Sequence, residues 1–206
     1  MIGILRMPIC NLQSVWNAVY GQLGLDPMIV DAESETDELT HLIVPGVGNF
    51  RAVMHHLEEQ DLTDRIRAFA DTGRPLLGIC AGMQLLATTG TEGGETRGLN
   101  LVPGKVLRLP EDKELRLPHV GWNTVTVRHL HPVFDGLKSD RDFYFVHSYA
   151  MLTDDEADWL AETDYGRPFA SIVGRGNVIG FQFHPEKSQA NGLRLLENFC
   201  HWDGKC

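Results

Sequence analysis

Two rhythms of apolar positions alternate along the first half of the chain. Residues 1–5 form a short apolar run that reads as a strand. In residues 12–23 the apolar positions Val15, Ala18, Val19 and Leu23 recur at spacings of three and four, which places them on one stripe of a helix. Residues 27–30 and 39–44 read as a second and a third strand, the latter ending at Pro45-Gly46-Val47-Gly48. Helical segments follow over residues 50–59 and 62–71. Residues 75–79, Pro-Leu-Leu-Gly-Ile, are apolar without alternation, as expected for a strand covered on both faces of a parallel sheet. Residues 82–88 read as the next helix. Strands alternating with helices imply right-handed crossovers and a doubly wound α/β sheet flanked by helices.

The second half changes texture. Residues 102–109, 120–127, 143–150, 169–173 and 178–183 are strand-like with short polar connections. That pattern predicts antiparallel additions and hence a mixed sheet. Residues 190–202 close the chain as an amphipathic helix with Leu193, Leu196, Phe199 and Cys200 inward. No repeat or linker interrupts the pattern, so residues 1–206 are expected to form one domain.

Composition narrows the function classes. A 43% hydrophobic content supports a packed core. The net charge of −10, from 18 basic and 28 acidic residues, argues against a polyanionic partner such as nucleic acid. Cys10, Cys80, Cys200 and Cys206 are scattered without a CxxC pair, so neither a metal site nor a disulfide framework is expected, and no cofactor is implied. Arg6 and Pro8 interrupt the first apolar run, and the richest run, residues 75–86, is too short to cross a bilayer. The expectation is a cytoplasmic protein that does not enter a membrane.

The strongest local signal is Gly78-Ile79-Cys80-Ala81-Gly82, where the buried strand meets a helix. Glycines two positions either side of a nucleophile permit a tight strand-to-helix turn and a close approach of substrate. The free N–H groups of a helix start favour thiolate, the attacking species. A buried structural thiol is the alternative for Cys80.

A thiol nucleophile needs a base, and the base needs a group to orient it. In Phe181-Gln182-Phe183-His184-Pro185-Glu186, Phe181 and Phe183 share one strand face, and Gln182 and His184 the other. Pro185 turns the chain so that Glu186 reaches back to the imidazole. Among the nine histidines, His119 and His147 compete for the same role, whereas His41, His55, His56, His129 and His131 read as surface or helix-face residues. Spacing alone does not choose among His119, His147 and His184; the adjacent Pro-Glu favours His184.

Residues 78–84 and 183–186 together resemble the class I (triad) glutamine amidotransferases. Pro45-Gly46-Val47-Gly48, residues 117–123 (Leu-Pro-His-Val-Gly-Trp-Asn), residues 144–149 (Tyr-Phe-Val-His-Ser-Tyr) and Glu186-Lys187-Ser188 narrow the likeness to the glutaminase subunits of imidazole glycerol phosphate synthase. The resemblance is collinear over nearly the whole chain and implies a flavodoxin-like fold. It implies that Cys80 attacks the glutamine side-chain amide, that His184 moves the proton and that Glu186 orients His184. It further implies an oxyanion site from the backbone of Val47, Gly48 and Ala81, and glutamine binding by Gln84, Glu92, Ser148 and Tyr149. Asn11, Trp122, Tyr144 and Lys187 match positions near a partner interface and ammonia passage. The implied partner is a (β/α)8 cyclase subunit in a heterodimer. Each position has a plainer alternative: Gln84 as a helix cap, Ser148 and Tyr149 as ordinary strand residues, Trp122 as core.

The match breaks at Arg6-Met7-Pro8-Ile9-Cys10-Asn11, where relatives of this kind carry Asp-Tyr-Gly-Met-Gly-Asn, and at Ala81, where Leu is common. Two other readings therefore stand beside the first. One is a paralogous glutaminase that supplies ammonia for amidation of a nucleotide-linked sugar. The other is a non-catalytic binding subunit with the same fold.

Overall fold

The computed structural model describes residues 1–7, 11–111, 115–137 and 141–206. The first half supplies strands β1 (Ile2–Leu5), β2 (Pro27–Val30), β3 (His41–Gly46) and β4 (Leu76–Cys80), with helices α1 (Leu12–Asn17), α2 (Phe50–Glu59), α3 (Leu62–Asp71) and α4 (Ala81–Leu85). The second half supplies the short β5 (Thr89–Gly90) and β6 (Thr96–Arg97), then β7 (Gly104–Arg108), β8 (His119–Thr124) and β9 (Thr126–Val127). After these come β10 (Asp142–His147), β11 (Tyr149–Thr153), β12 (Trp159–Asp164), β13 (Pro168–Arg175), β14 (Val178–Phe181) and helix α5 (Gln189–His201).

Among the described residues the strands form an eight-stranded sheet ordered β2-β1-β3-β4-β14-β13-β12-β9, a pair β10-β8, and a four-stranded sheet β11-β7-β5-β6. In the large sheet β2, β1, β3, β4 and β14 run parallel to one another, while β13, β12 and β9 add antiparallel. The mixed α/β sheet expected from the apolar rhythm is present. Its central strand β4 is buried along its whole length. Leu77 and Ile79 point into one apolar cluster with Val15, Val19, Leu195 and Phe199 of the α1 and α5 side. Leu76 joins the opposite cluster with Val53, Leu57, Ile66 and Phe69 of α2 and α3. A strand buried on both faces has no polar side, which explains its unbroken apolar run.

Several boundaries differ from the sequence expectation, each for a local reason. The helix expected over residues 12–23 is α-helical only to Asn17 and continues as a π-helical turn over Ala18–Gln22. The run 120–127 breaks at buried Val125, leaving β8 in the two-stranded sheet and β9 in the large one. The run 143–150 breaks at Ser148 into β10 and β11, again in different sheets. The last strand, expected as an antiparallel addition, pairs antiparallel with β13 but inserts parallel against β4. Strand β12 carries register shifts against β13, and its buried Leu160 and Ala161 are consecutive, so no period-two signal marked it. Leu196, Phe199 and Cys200 of α5 are buried as expected, Leu193 is partly buried, and Leu195 joins them.

Candidate active site

Cys80 ends β4 and immediately precedes α4, with φ 54° and ψ −110°. A non-glycine residue held there stores roughly 1–3 kcal/mol of backbone strain, which the surroundings must over-determine. The flanking glycines make the turn possible. A Cβ on Gly78 would run into the Gly82 carbonyl and the Met83 amide, and a Cβ on Gly82 would overlap the Val44 carbonyl of β3. The elbow is thus wedged between β3, β4 and α4, and the sulfur emerges where the parallel strands end.

His184 lies just beyond β14, the strand next to β4. Its backbone amide donates to the Tyr144 carbonyl at 2.9 Å, and its carbonyl accepts from Ser188 Oγ at 2.6 Å. Ser188 Oγ in turn accepts from the Tyr144 amide at 3.0 Å. These bonds pin the His184 backbone to β10. A 3-10 turn over Pro185–Lys187 carries Glu186 back, and its Oε1 stands 2.9 Å from His184 Nδ1. The two side chains are only 4% and 1% exposed. With Nδ1 taken by the carboxylate, Nε2 is left for the neighbouring Cys80, one of the groups that act on the ring, while the sulfur itself stands 3.8 Å from the Val146 carbonyl. Burial disfavours an imidazolium here, but the bonds and charges of Cys80 and Glu186 outweigh it and raise the His184 pKa to about 10. The second Glu186 oxygen, Oε2, is buried without a hydrogen-bond partner among the described residues.

A cavity of about 330 Å³ opens over the sulfur. Its wall contains Cys80 and His184, the backbone positions Val47, Gly48 and Ala81, and the expected binding residues Gln84, Glu92, Ser148 and Tyr149. Gly48 takes φ 112°, a conformation open to glycine. Glu92 Oε2 accepts from the Phe50 amide at 2.9 Å, which holds the carboxylate at the start of α2. Gln84 is not a helix cap: its Nε2 donates to the Tyr149 carbonyl at 2.8 Å and to Gln182 Oε1 at 3.1 Å. Asn49, Pro118, Val146 and His147 also line the cavity and were not singled out as lining residues by sequence. Asn49 carried a signal, since it caps α2 by accepting from the Ala52 amide.

The competing histidines are committed elsewhere. His147 Nδ1 faces the Tyr149 carbonyl at 2.9 Å, and its Nε2 faces His119 Nδ1 at 3.0 Å. Neither nitrogen is free to serve the sulfur. His41 and His131, expected as surface or helix-face residues, are buried: His41 bonds the Trp202 carbonyl, and His131 Nδ1 accepts from the Val133 amide. His55 and His129 are exposed.

Of the four positions expected near a partner, three cluster. Trp122 is 49% exposed rather than core, and packs edge-on to the Tyr144 ring at 6.1 Å. The Lys187 ammonium lies 6.0 Å from that ring. Val120 and Val146, cross-strand partners that are 56% and 37% exposed, extend this apolar face of β8 and β10 to the cavity rim. Asn11 does not line the cavity; it sits at the start of α1 and accepts from Ser14 Oγ at 2.6 Å. Pro8, Ile9 and Cys10 of the atypical loop lie outside the described residues. Among the described residues no group of three or more His, Cys, Asp or Glu is placed to hold a metal ion, and no helix is long and apolar enough to cross a membrane.

The family profile described as glutamine amidotransferase class-I matches residues 15–202. The chain belongs to the class-I glutamine amidotransferase family. This amidotransferase is 49% identical over 204 residues to imidazole glycerol phosphate synthase subunit HisH of Lacticaseibacillus casei, covering 97% of this chain and 94% of that one. It is 44% identical over 202 residues to the HisH subunit of Sulfurimonas denitrificans, covering 97% of each. Among solved structures, a glutamine amidotransferase matches with a TM-score of 0.74 at 23% identity, covering 97% of both chains. PurLQS from Thermotoga maritima matches with the same TM-score of 0.74 at 16% identity and the same coverage. The amidotransferase fold is therefore shared well beyond detectable kinship in residue identity.

Proposed function

We propose that this chain is the glutaminase subunit of an imidazole glycerol phosphate synthase and that Cys80, His184 and Glu186 carry the chemistry. The carrying observation is the buried Glu186–His184 pair, whose imidazole shares with Cys80 the wall of a cavity large enough for an amino acid. In this reading the Cys80 sulfur adds to the side-chain amide carbon of glutamine. The carbon–nitrogen bond breaks as His184 gives its proton to the departing ammonia, leaving a γ-glutamyl thioester. His184 then takes a proton from water, which adds to the thioester and releases glutamate. Glu186 fixes the ring with Nε2 toward the sulfur and supports the imidazolium.

Backbone N–H groups of Val47 or Gly48 and Ala81 are assigned to the oxyanion, each worth roughly 2.7–4 kcal/mol in comparable acyl transfers. The Glu92 carboxylate complements the α-ammonium of glutamine, with Gln84, Ser148 and Tyr149 along the side of the pocket. Ammonia passes to a (β/α)8 cyclase subunit that docks on the exposed Trp122–Tyr144–Lys187 face, with Asn11 nearby. End-to-end similarity to HisH subunits supports a histidine-pathway acceptor over the nucleotide-sugar alternative. Residues 1–206 are read as one cytoplasmic amidotransferase domain without a cofactor.

The test is covalent labelling by a glutamine analogue electrophilic at its γ-position, with and without the cyclase subunit and its nucleotide ligand. A stoichiometric adduct on Cys80, lost in Cys80→Ser, supports the reading. No adduct under either condition leaves the binding-subunit alternative. Complementation of a histidine auxotroph lacking its own glutaminase subunit separates the two acceptor pathways.

A further inference from the structure

Strands β8 and β10 pair with His119 directly opposite His147, which strings three side chains between two backbone carbonyls. At one end Asn123 Nδ2 donates to the Asp164 carbonyl at 2.9 Å, and its Oδ1 accepts from the Thr124 amide at 2.8 Å, which fixes the orientation of the amide. The same Nδ2 meets His119 Nε2 at 3.3 Å. At the other end His147 Nδ1 faces the Tyr149 carbonyl. A carbonyl only accepts, so His147 Nδ1 bears hydrogen. An amide NH2 only donates, so His119 Nε2 is a lone pair. The central contact then has one solution for neutral rings: His119 Nδ1–H donates to His147 Nε2. Burial makes both rings neutral, lowering His119 to about 4 and, against the opposing bond to the Tyr149 carbonyl and with smaller contributions from His119 and His184, His147 to about 3. The His119 ring cannot swing, because it is stacked between Phe145 at 4.9 Å and Tyr165 at 4.1 Å.

The geometry points to His119 as a positioning residue for the glutamine pocket: its Nδ1–H sets the His147 tautomer, which gives its N–H to the Tyr149 carbonyl and holds the 148–149 wall in place. This rests on the glutaminase reading above. The Tyr149 carbonyl also accepts from Gln84 Nε2, so two donors, both from residues that line the cavity, fix it. Were His147 to carry its proton on Nε2, the Nδ1 lone pair would face that carbonyl and repel it. His119 touches neither the cavity nor the sulfur. Its effect therefore falls on substrate binding rather than on the acyl-transfer step.

The test combines ring nitrogen-15 spectra of the full chain with glutamine hydrolysis by the complex with the cyclase subunit. In the unmodified chain His147 should show the Nδ1–H tautomer. His119→Phe keeps the ring stack and removes the donor; it should mix the His147 tautomers and raise KM for glutamine about tenfold with kcat changed less than about twofold, the loss expected for one buried hydrogen bond. His119→Asn, whose amide N–H can occupy the Nδ1 position, should restore KM to within about threefold on the same basis. Asn123→Ala, further from the pocket, should shift KM the same way by less, and decides the matter with the wild-type tautomer should His119→Phe fail to fold. An Nε2–H tautomer for His147 in the unmodified chain, an unchanged KM in His119→Phe, or a loss confined to kcat overturns the proposal while leaving the glutaminase reading intact. Absence of both turnover and Cys80 labelling in the unmodified chain overturns both.

Discussion

Gly82 and Val44 share a gap too small for a methyl group: the glycine Cα of α4 sits against the carbonyl of β3, and any Cβ there would overlap that oxygen. The neighbour is backbone in a central strand, so it cannot rotate away. Gly82→Ala should destabilise the fold by about 3 kcal/mol, at the upper end for overpacking, and should displace Cys80 with it. Urea unfolding together with Cys80 labelling checks this. A wild-type midpoint would show that α4 moves freely.

The His184 pKa of about 10 lies above the ordinary value of 6.5, so the proton needed by departing ammonia is retained through neutral pH and is lost as pH rises toward 10. In the proposed mechanism the alkaline limb of kcat/KM, which reports the free enzyme, should therefore stand near pH 10. Glu186→Gln removes one of the groups that raise this pKa. It should move the limb to lower pH and reduce kcat by up to about 10⁴-fold, as loss of an orienting carboxylate does elsewhere. A pH–rate profile of both proteins, with an unmoved limb in the variant, would remove Glu186 from its assigned role.

Burial acts in the opposite direction on His119, His131 and His147, whose pKa values fall to about 4, about 4 and about 3. The unfolded chain binds protons at these rings below about pH 6.5, and the folded chain does not until pH 3–4. The contribution of these three rings is constant above pH 6.5 and falls as pH drops below it, whereas the raised His184 acts separately, its contribution being lost as pH rises from about 6.5 toward 10. The slope reaches roughly 4 kcal/mol per pH unit, as about three protons are taken up on unfolding. Urea midpoints between pH 7 and pH 4.5 measure it, and a flat profile would contradict the buried neutral rings.

Trp122 stands half in solvent beside Tyr144, with exposed Val120 and Val146 on the same face. An aromatic anchor at the centre of such a patch commonly dominates an interface. Trp122→Ala should weaken binding of the cyclase subunit by about 2 kcal/mol, roughly thirtyfold in Kd, with little change in folding stability. Calorimetric titration checks this; an unchanged Kd would move the docking face elsewhere.

What the sequence revealed follows from range. Helices α2 and α3 match the expected residues because the buried positions Phe50, Val53, Met54 and Leu57, then Leu62, Ile66, Phe69 and Ala70, repeat at helical spacing within one element. Cys80 with its glycines, and His184 with Glu186, were legible because each cluster lies within a few residues. The orientation of β8 was not. Its alternation marked a strand, yet Val120 and Trp122 turn outward while His119 and Asn123 turn in, the reverse of an apolar-in pattern. Nor could local pattern reveal that His119 and His147 are cross-strand partners, because that depends on the register of β8 against β10. The same register occupies the nitrogens of both competing histidines and so leaves His184 alone with the sulfur.

Ser148 is where one run of chain leaves the β8–β10 ribbon and enters the four-stranded sheet. A seam of this kind is not bridged by a ladder of its own. The ribbon that presents Trp122 on its outside is nonetheless tied to the rest of the fold: Phe143 and Phe145 are buried in the core, the Tyr144 carbonyl accepts from the His184 amide, and the Ser148 carbonyl accepts from the Leu109 amide. The strand that offers the Tyr144 ring to this outer face thus also anchors the main chain of the candidate base on its other edge.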